Sequence, residues 1–190
     1  MHNMHGKHNK GKVSYLESPE RRKEFSPEQL LNRIPLKETD SILDFGAGIG
    51  YFSIPVAKKI KGNVYALDID AAMLEIINEK ALEEQLTNIV PVEGSMDALP
   101  LPDGSIDVII ASLVLHEIQP LAPLLQQMKN VLKKEGYLIC LELEPKGKSE
   151  KAPRITLEKM EREMKEAGFQ ITEKFFPAES LYMLVAQKTD

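Results

Sequence analysis

Beyond Asp40 the chain alternates between short apolar runs and longer stretches in which apolar residues return every three or four positions. The runs Ser41 to Phe45, Asn63 to Asp68, about 88–92, Ile106 to Ser112 and about 136–143 have the length and composition of strands. Ile106 to Ser112 is apolar almost throughout, as a central strand buried on both faces must be. Between these runs the spacing predicts helices over about 51–61, 71–85, 119–134 and 155–167. Met73, Leu74, Ile77, Ala81 and Leu82 form one stripe along the second of them, Pro55 lies near enough to the start of the first to be tolerated, and Gly168 stops the last. Two further strands, about 169–176 and 181–188, are joined by Pro177 to Ser180, a link too short for a parallel crossover. They form an antiparallel hairpin. The alternation before it argues for an α/β fold, a doubly wound and mostly parallel sheet with helices on both faces.

The first forty residues are organised differently. Residues 1–12 have no apolar period and read as a flexible tail, and 13–39 as an N-terminal helical leader or cap before a single domain over 40–190. Ser18-Pro19-Glu20 and Ser26-Pro27-Glu28 are repeated helix starts, with serine as cap and proline at the first helical position, so two short helices are expected up to Pro35. Residues 144–153 have loop composition and are a lid candidate.

Composition narrows the function classes. At 190 residues and 43% hydrophobic, one sizeable core is affordable and a second full domain is not. No stretch nears the ~18 apolar residues of a membrane span, and the start of the chain has no apolar signal segment, which predicts a cytoplasmic protein. A net charge of −5 offers no broad basic field for nucleic acid, and the cluster Lys7, Lys10, Lys12, Arg21, Arg22 and Lys23 reads as a solvated arm. Cys140 is the only cysteine, so neither an internal disulfide nor a cysteine zinc cluster is available. His2, His5 and His8 recur every three residues, but with no strong partner ligand beside them no metal site is expected.

The chemistry concentrates at the end of the first strand. Gly46, Ala47, Gly48 and Gly50 belong to a turn between that strand and a helix, where glycine permits positive φ and close approach of a ligand to the backbone. The exposed N–H groups of a helix start add a partial positive charge. The spacing is G-x-G-x-G, whereas a dinucleotide turn uses G-x-G-x-x-G, and Asp44 two residues upstream would repel a pyrophosphate but pair with an ammonium. The run D-x-G-x-G-x-G resembles motif I of the class I S-adenosylmethionine (SAM) methyltransferases. That resemblance implies a Rossmann-like seven-stranded sheet in which the last strand inserts beside the fifth, with SAM as cofactor and S-adenosylhomocysteine as product.

Other positions extend the resemblance over about 40–190. Asp68 closes the second strand, where a carboxylate can accept both hydroxyls of a ribose, and Asp70 reads as the cap of the next helix. Ile69 and Met73 are apolar candidates for covering an adenine, although Met73 equally suits the core. The segment from Glu93 to Asp107 is similar to the methyltransferase segment beside the adenine, with Ser95 and Met96 where Asp and Ala are common and Asp97 as the nearest acidic substitute. Ala111, near the end of the fourth strand, completes the cofactor-binding set that the resemblance implies. The run Val114-Leu-His-Glu117 is similar to the strand end of many small-molecule methyltransferases. It makes His116 the candidate for orienting or deprotonating the acceptor, with capping of the next helix or support of the cofactor as the structural alternative. The reading is a SAM-dependent methyltransferase acting on a small molecule, with no metal. Its rivals are a SAM-binding partner or sensor without catalysis and an NAD(P)-dependent oxidoreductase. The latter lacks an obvious Tyr-x-x-x-Lys relay.

Overall fold

The computed structural model describes residues 26–95, 98–145 and 153–190. The expected first leader helix, the histidines at 2, 5 and 8, Met96, Asp97 and most of the lid candidate lie outside them. In chain order the elements are α1 (Pro27–Leu31), β1 (Ile42–Phe45), α2 (Ser53–Lys59), β2 (Val64–Asp68), α3 (Ala71–Glu83), β3 (Ile89–Glu93) and β4 (Ile106–Ser112). A 3-10 turn (Leu115–Glu117), α4 (Ala122–Val131), β5 (Leu132–Leu143), α5 (Leu157–Glu166), β6 (Phe169–Ala178) and β7 (Leu181–Lys188) follow. One seven-stranded sheet carries the order β3-β2-β1-β4-β5-β7-β6. Its first five strands run parallel, while β7 pairs antiparallel with both β5 and β6.

Side chains alternate across this sheet as the two-residue period of a strand requires. Leu43 and Phe45 of β1 join Ile109, Leu138, Cys140 and Leu184 in a core closed by Leu125 and Met128 of α4 and Met160 and Met164 of α5. Ile42, Val108, Ile110, Ile139 and Val185 face the other way, against Leu30 and Leu31 of α1 and Val56 and Ala57 of α2. Leu74 and Ile77 of α3 cover Ala66 and Ala47. Burial on both faces explains why β4 and the middle of β5 are nearly pure apolar runs. The sheet ends at the edge strands β3, which tolerates Pro91, and β6, which tolerates Pro177.

Several boundaries differ from expectation. α2 starts at Ser53, because the chain from Gly50 to Phe52 is still completing the glycine turn. α4 spans only Ala122–Val131, since Pro120 disfavours helix in the residue before it and Pro123 occupies the first turn. β5 takes the residues given up by α4, beginning at Leu132 opposite Ile106 with a register irregularity before Val108.

Candidate functional site

The carboxyl ends of β1, β2 and β4 meet at one edge of the sheet, and the glycine turn lies across them. Gly46 (φ +71°) and Gly48 (φ +54°) hold backbone conformations that side chains disfavour. A Cβ on Gly46 would sit 2.6 Å from Cγ2 of Val114, so the turn contacts the chain two residues beyond β4 with no room to spare. The N–H groups of Gly46 and Ala47 both donate to the carbonyl of Leu67 at 2.9 Å, and that of Gly48 donates to Asp68 Oδ2 at 2.7 Å. Asp68 Oδ1 accepts from the N–H of Asp70 at 2.9 Å. Asp68 is thereby fixed in direction by the turn it faces. A carboxylate has about four acceptor positions, and these two bonds leave others for ligand hydroxyls. Asp70 caps α3, accepting from the N–H of Ala72 at 3.0 Å.

Asp44 is buried and accepts from the hydroxyl of Ser53, the first residue of α2, at 2.5 Å. Asp44, the glycine turn, Asp68, Ile69, Ser112, Val114 and Glu117 line a cleft of about 100 Å³. Among the described residues that line it, the carboxylates are Asp44, Asp68 and Glu117, the phenol of Tyr51 is the other ionisable group, and none is basic. Ser112 Oγ is buried without a hydrogen-bond partner, and such a hydroxyl at a cleft wall is able to bond a ligand or a water. A second cavity of about 500 Å³ lies on the far side of the turn, between the start of α1, α2 and α3, and meets the cleft at Ile49 and Tyr51. It has none of the strand-end carboxylates.

Beyond Ser112 the chain leaves the sheet through Leu113, which takes φ +55° while its N–H donates to the carbonyl of Leu141 at 2.8 Å. The 3-10 turn that follows is held by one side chain of β5. Glu142, fully buried, accepts from the N–H of Leu115 at 2.8 Å and of His116 at 3.4 Å through Oε1, and its Oε2 lies 2.7 Å from His116 Nδ1. His116 is 9% exposed, with Nε2 4.0 Å from Oε1 of Glu117. It neither caps α4 nor lines the cleft; Glu117 does the latter.

The expected site residues thus fall into separate groups. Asp44, Gly46, Ala47, Gly48, Asp68 and Ile69 surround the cleft, with Ile69 64% exposed at its rim. Gly50 (φ +82°) lines the larger cavity instead. Met73 and Ala111 are buried in the core, and neither lines the cleft. Ser112, one residue on from Ala111, does line it. Ser95 follows Gly94, whose N–H donates to the carbonyl of Asp68 at 3.3 Å, which keeps this segment beside the end of β2. Ser53, Ser112 and Glu142 were not foreseen. For Glu142 a signal existed, since it is the one acidic residue inside the apolar run from Tyr137 to Leu143.

Comparison with known proteins gives the same picture. Residues 43–140, just over half of the 190, match the family model described as a methyltransferase domain. A demethylmenaquinone methyltransferase of Geobacillus sp. (strain WCH70) is 28% identical over 117 residues, covering 60% of this chain and 50% of that protein. One from Listeria monocytogenes serotype 4a is 33% identical over 104 residues, 54% of this chain and 44% of its own. The chain therefore spans about half the length of the curated relatives it matches. The crystal structure of a SAM dependent methyltransferase from Aquifex aeolicus superposes with a TM-score of 0.85 at 25% identity, covering 94% of this chain and 98% of that one.

Proposed function

Because the chain belongs to the methyltransferase domain family, in its class I SAM-dependent branch, we propose that it transfers a methyl group from SAM to a small-molecule acceptor in the cytoplasm. The observation that carries this reading is the charge of the cleft, whose charged lining among the described residues is Asp44, Asp68 and Glu117. A ligand with ammonium and sulfonium centres is favoured there, and a pyrophosphate is repelled. SAM supplies an electrophilic methyl group when bound. The residues supply position: Asp68 for the ribose hydroxyls, the Gly46 to Gly48 backbone for close approach, Asp44 toward the ammonium end and the free hydroxyl of Ser112 for a polar group of the ligand. Ile69, at the rim, suits an apolar ring face.

The acceptor side falls to His116, Glu117, the leader and the loop at 144–153. The curated relatives are named for demethylmenaquinone, which makes a reduced demethylmenaquinone analogue the first acceptor to test. Calorimetric titration with SAM, S-adenosylhomocysteine and NADH tests the cofactor. Micromolar binding of the first two is expected, weakened about fivefold or more in Asp68→Ala by the lost ribose hydrogen bonds, roughly 1 kcal/mol. Preference for NADH would overturn the assignment. SAM binding without transfer to any of a panel of hydroxyl, thiol, amine and carbon acceptors would instead favour a binding module.

A further inference from the structure

A fully buried carboxylate near the end of an apolar strand is costly unless something compensates it. The hydrogen-bond partners of Glu142 are two backbone N–H groups and one imidazole, all from the turn that leaves β4. The backbone bonds alone do not demand a charge, because a glutamine carbonyl would accept them equally well. The bond to His116 is different. An ionised carboxylate can only accept, so beside it Nδ1 at 2.7 Å carries the hydrogen. In a neutral ring Nε2 is then the unprotonated nitrogen. That nitrogen points away from Glu142 toward Glu117, whose side chain lines the cleft.

We propose that Glu142 is a positioning residue that holds His116 as the Nδ1–H tautomer, so that Nε2, 4.0 Å from the cleft-lining Glu117, offers its lone pair on that side. Its use rests on the methyl-transfer reading: the acceptor would be a molecule with an ionisable X–H, such as a phenol, hydroquinone or thiol. The X–H bond breaks, its electron pair stays on the acceptor atom, and the proton forms a bond to Nε2. The resulting imidazolium lies against the negative charge of Glu142. An acceptor that is already an anion would gain nothing from this arrangement.

The tautomer is measurable without any acceptor. Long-range ¹H–¹⁵N correlation spectra of the full chain, labelled at histidine nitrogens, report which ring nitrogen is protonated. His116→Asn identifies the His116 signals among those of the four histidines. The proposal expects a protonated Nδ1 in the wild type and loss of that preference in Glu142→Gln, whose amide can also donate. A wild-type Nε2–H tautomer, or an Nδ1–H signal indifferent to Glu142→Gln, would overturn it. A structural clasp alone is separated by the asparagine variant, whose amide can replace Nδ1–H toward Glu142 but has nothing in place of Nε2. His116→Asn should keep the wild-type melting temperature and SAM affinity better than His116→Ala does, yet lose about 100-fold or more in transfer to the reduced demethylmenaquinone analogue. Transfer at the wild-type rate in His116→Asn would refute the role of Nε2. If the wild type methylates no acceptor while the Nδ1–H result holds, the methyl-transfer reading fails and the positioning stands.

Discussion

At the scale of single residues the site depends on atoms that are missing. Gly46 combines a positive φ with a neighbour that leaves no space, whereas Gly104 has φ +63° and nothing within 4 Å of where its Cβ would be. Alanine at Gly104 therefore meets only the left-handed backbone penalty of about 1 kcal/mol. At Gly46 it must also displace Val114, adding roughly 1–3 kcal/mol. Denaturant melts of the two variants should rank them in that order, with SAM affinity falling about tenfold or more in Gly46→Ala alone. Equal losses would mean that the contact with Val114 has no energetic weight. Much of this was legible in the sequence, because glycine spacing and the aspartate closing β2 state a local backbone requirement. The burial of Met73 and Ala111 was legible too, from the helical stripe and the apolar central strand, but whether either also touches the site was not, since a residue next to a site and a residue in it share the same local pattern.

At the scale of elements the informative seam is the antiparallel pairing of β5 with β7, where Cys140 opposes Leu184 and Glu142 opposes Tyr182. Burial first, then the charge of Glu142, pushes the Cys140 thiol well above its ordinary range. Burial also raises the Tyr182 phenol, with Cys140, Glu142 and Glu144 adding to it, and its hydroxyl donates to the carbonyl of Ile155 at 2.9 Å. Unfolding frees both groups to ionise near their usual values, about 8.5 and 10. Above those values the folded chain binds more protons than the unfolded one, so this stability is intact at neutral pH and is lost as pH rises. Each group steepens the alkaline limb by up to about 1.4 kcal/mol per pH unit. Urea midpoints between pH 7 and 11 should fall less steeply in Cys140→Ala with Tyr182→Phe than in the wild type. Parallel curves would show that neither group is kept protonated by the fold. The seam itself was half legible. The short link after Pro177 required a hairpin, and alternating burial along β6 agrees with an edge strand. The ends of α2, α4 and β5 were missed because turn geometry and Pro120 outweigh apolar periodicity.

At the scale of the whole molecule, sequence reading reaches its limit where distant segments come into register. Ser112 pairs with Leu141, which sets Glu142 against the turn after β4. No local pattern announces that a strand of one βα unit will clasp the exit of another. The insertion of β7 beside β5 came from family resemblance alone, for the same reason. What composition does state is charge, and here the global and local signs agree: a chain of net −5 gathers three carboxylates around its cleft. SAM carries one more positive charge than S-adenosylhomocysteine, the two being otherwise alike apart from a methyl group. The anionic cleft should therefore bind SAM with the greater salt sensitivity, because exposed charges are screened within about 3 Å at 1 M salt and about 10 Å at 0.1 M. Raising sodium chloride from 0.05 to 0.5 M should weaken SAM about twofold more than S-adenosylhomocysteine in paired titrations, roughly half a kcal/mol. Glu117→Gln, at the exposed end of the cleft, should reduce that difference. A salt response identical for both ligands would mean that the sulfonium lies outside the field of these carboxylates, and the electrostatic ground for preferring SAM over a dinucleotide would go with it.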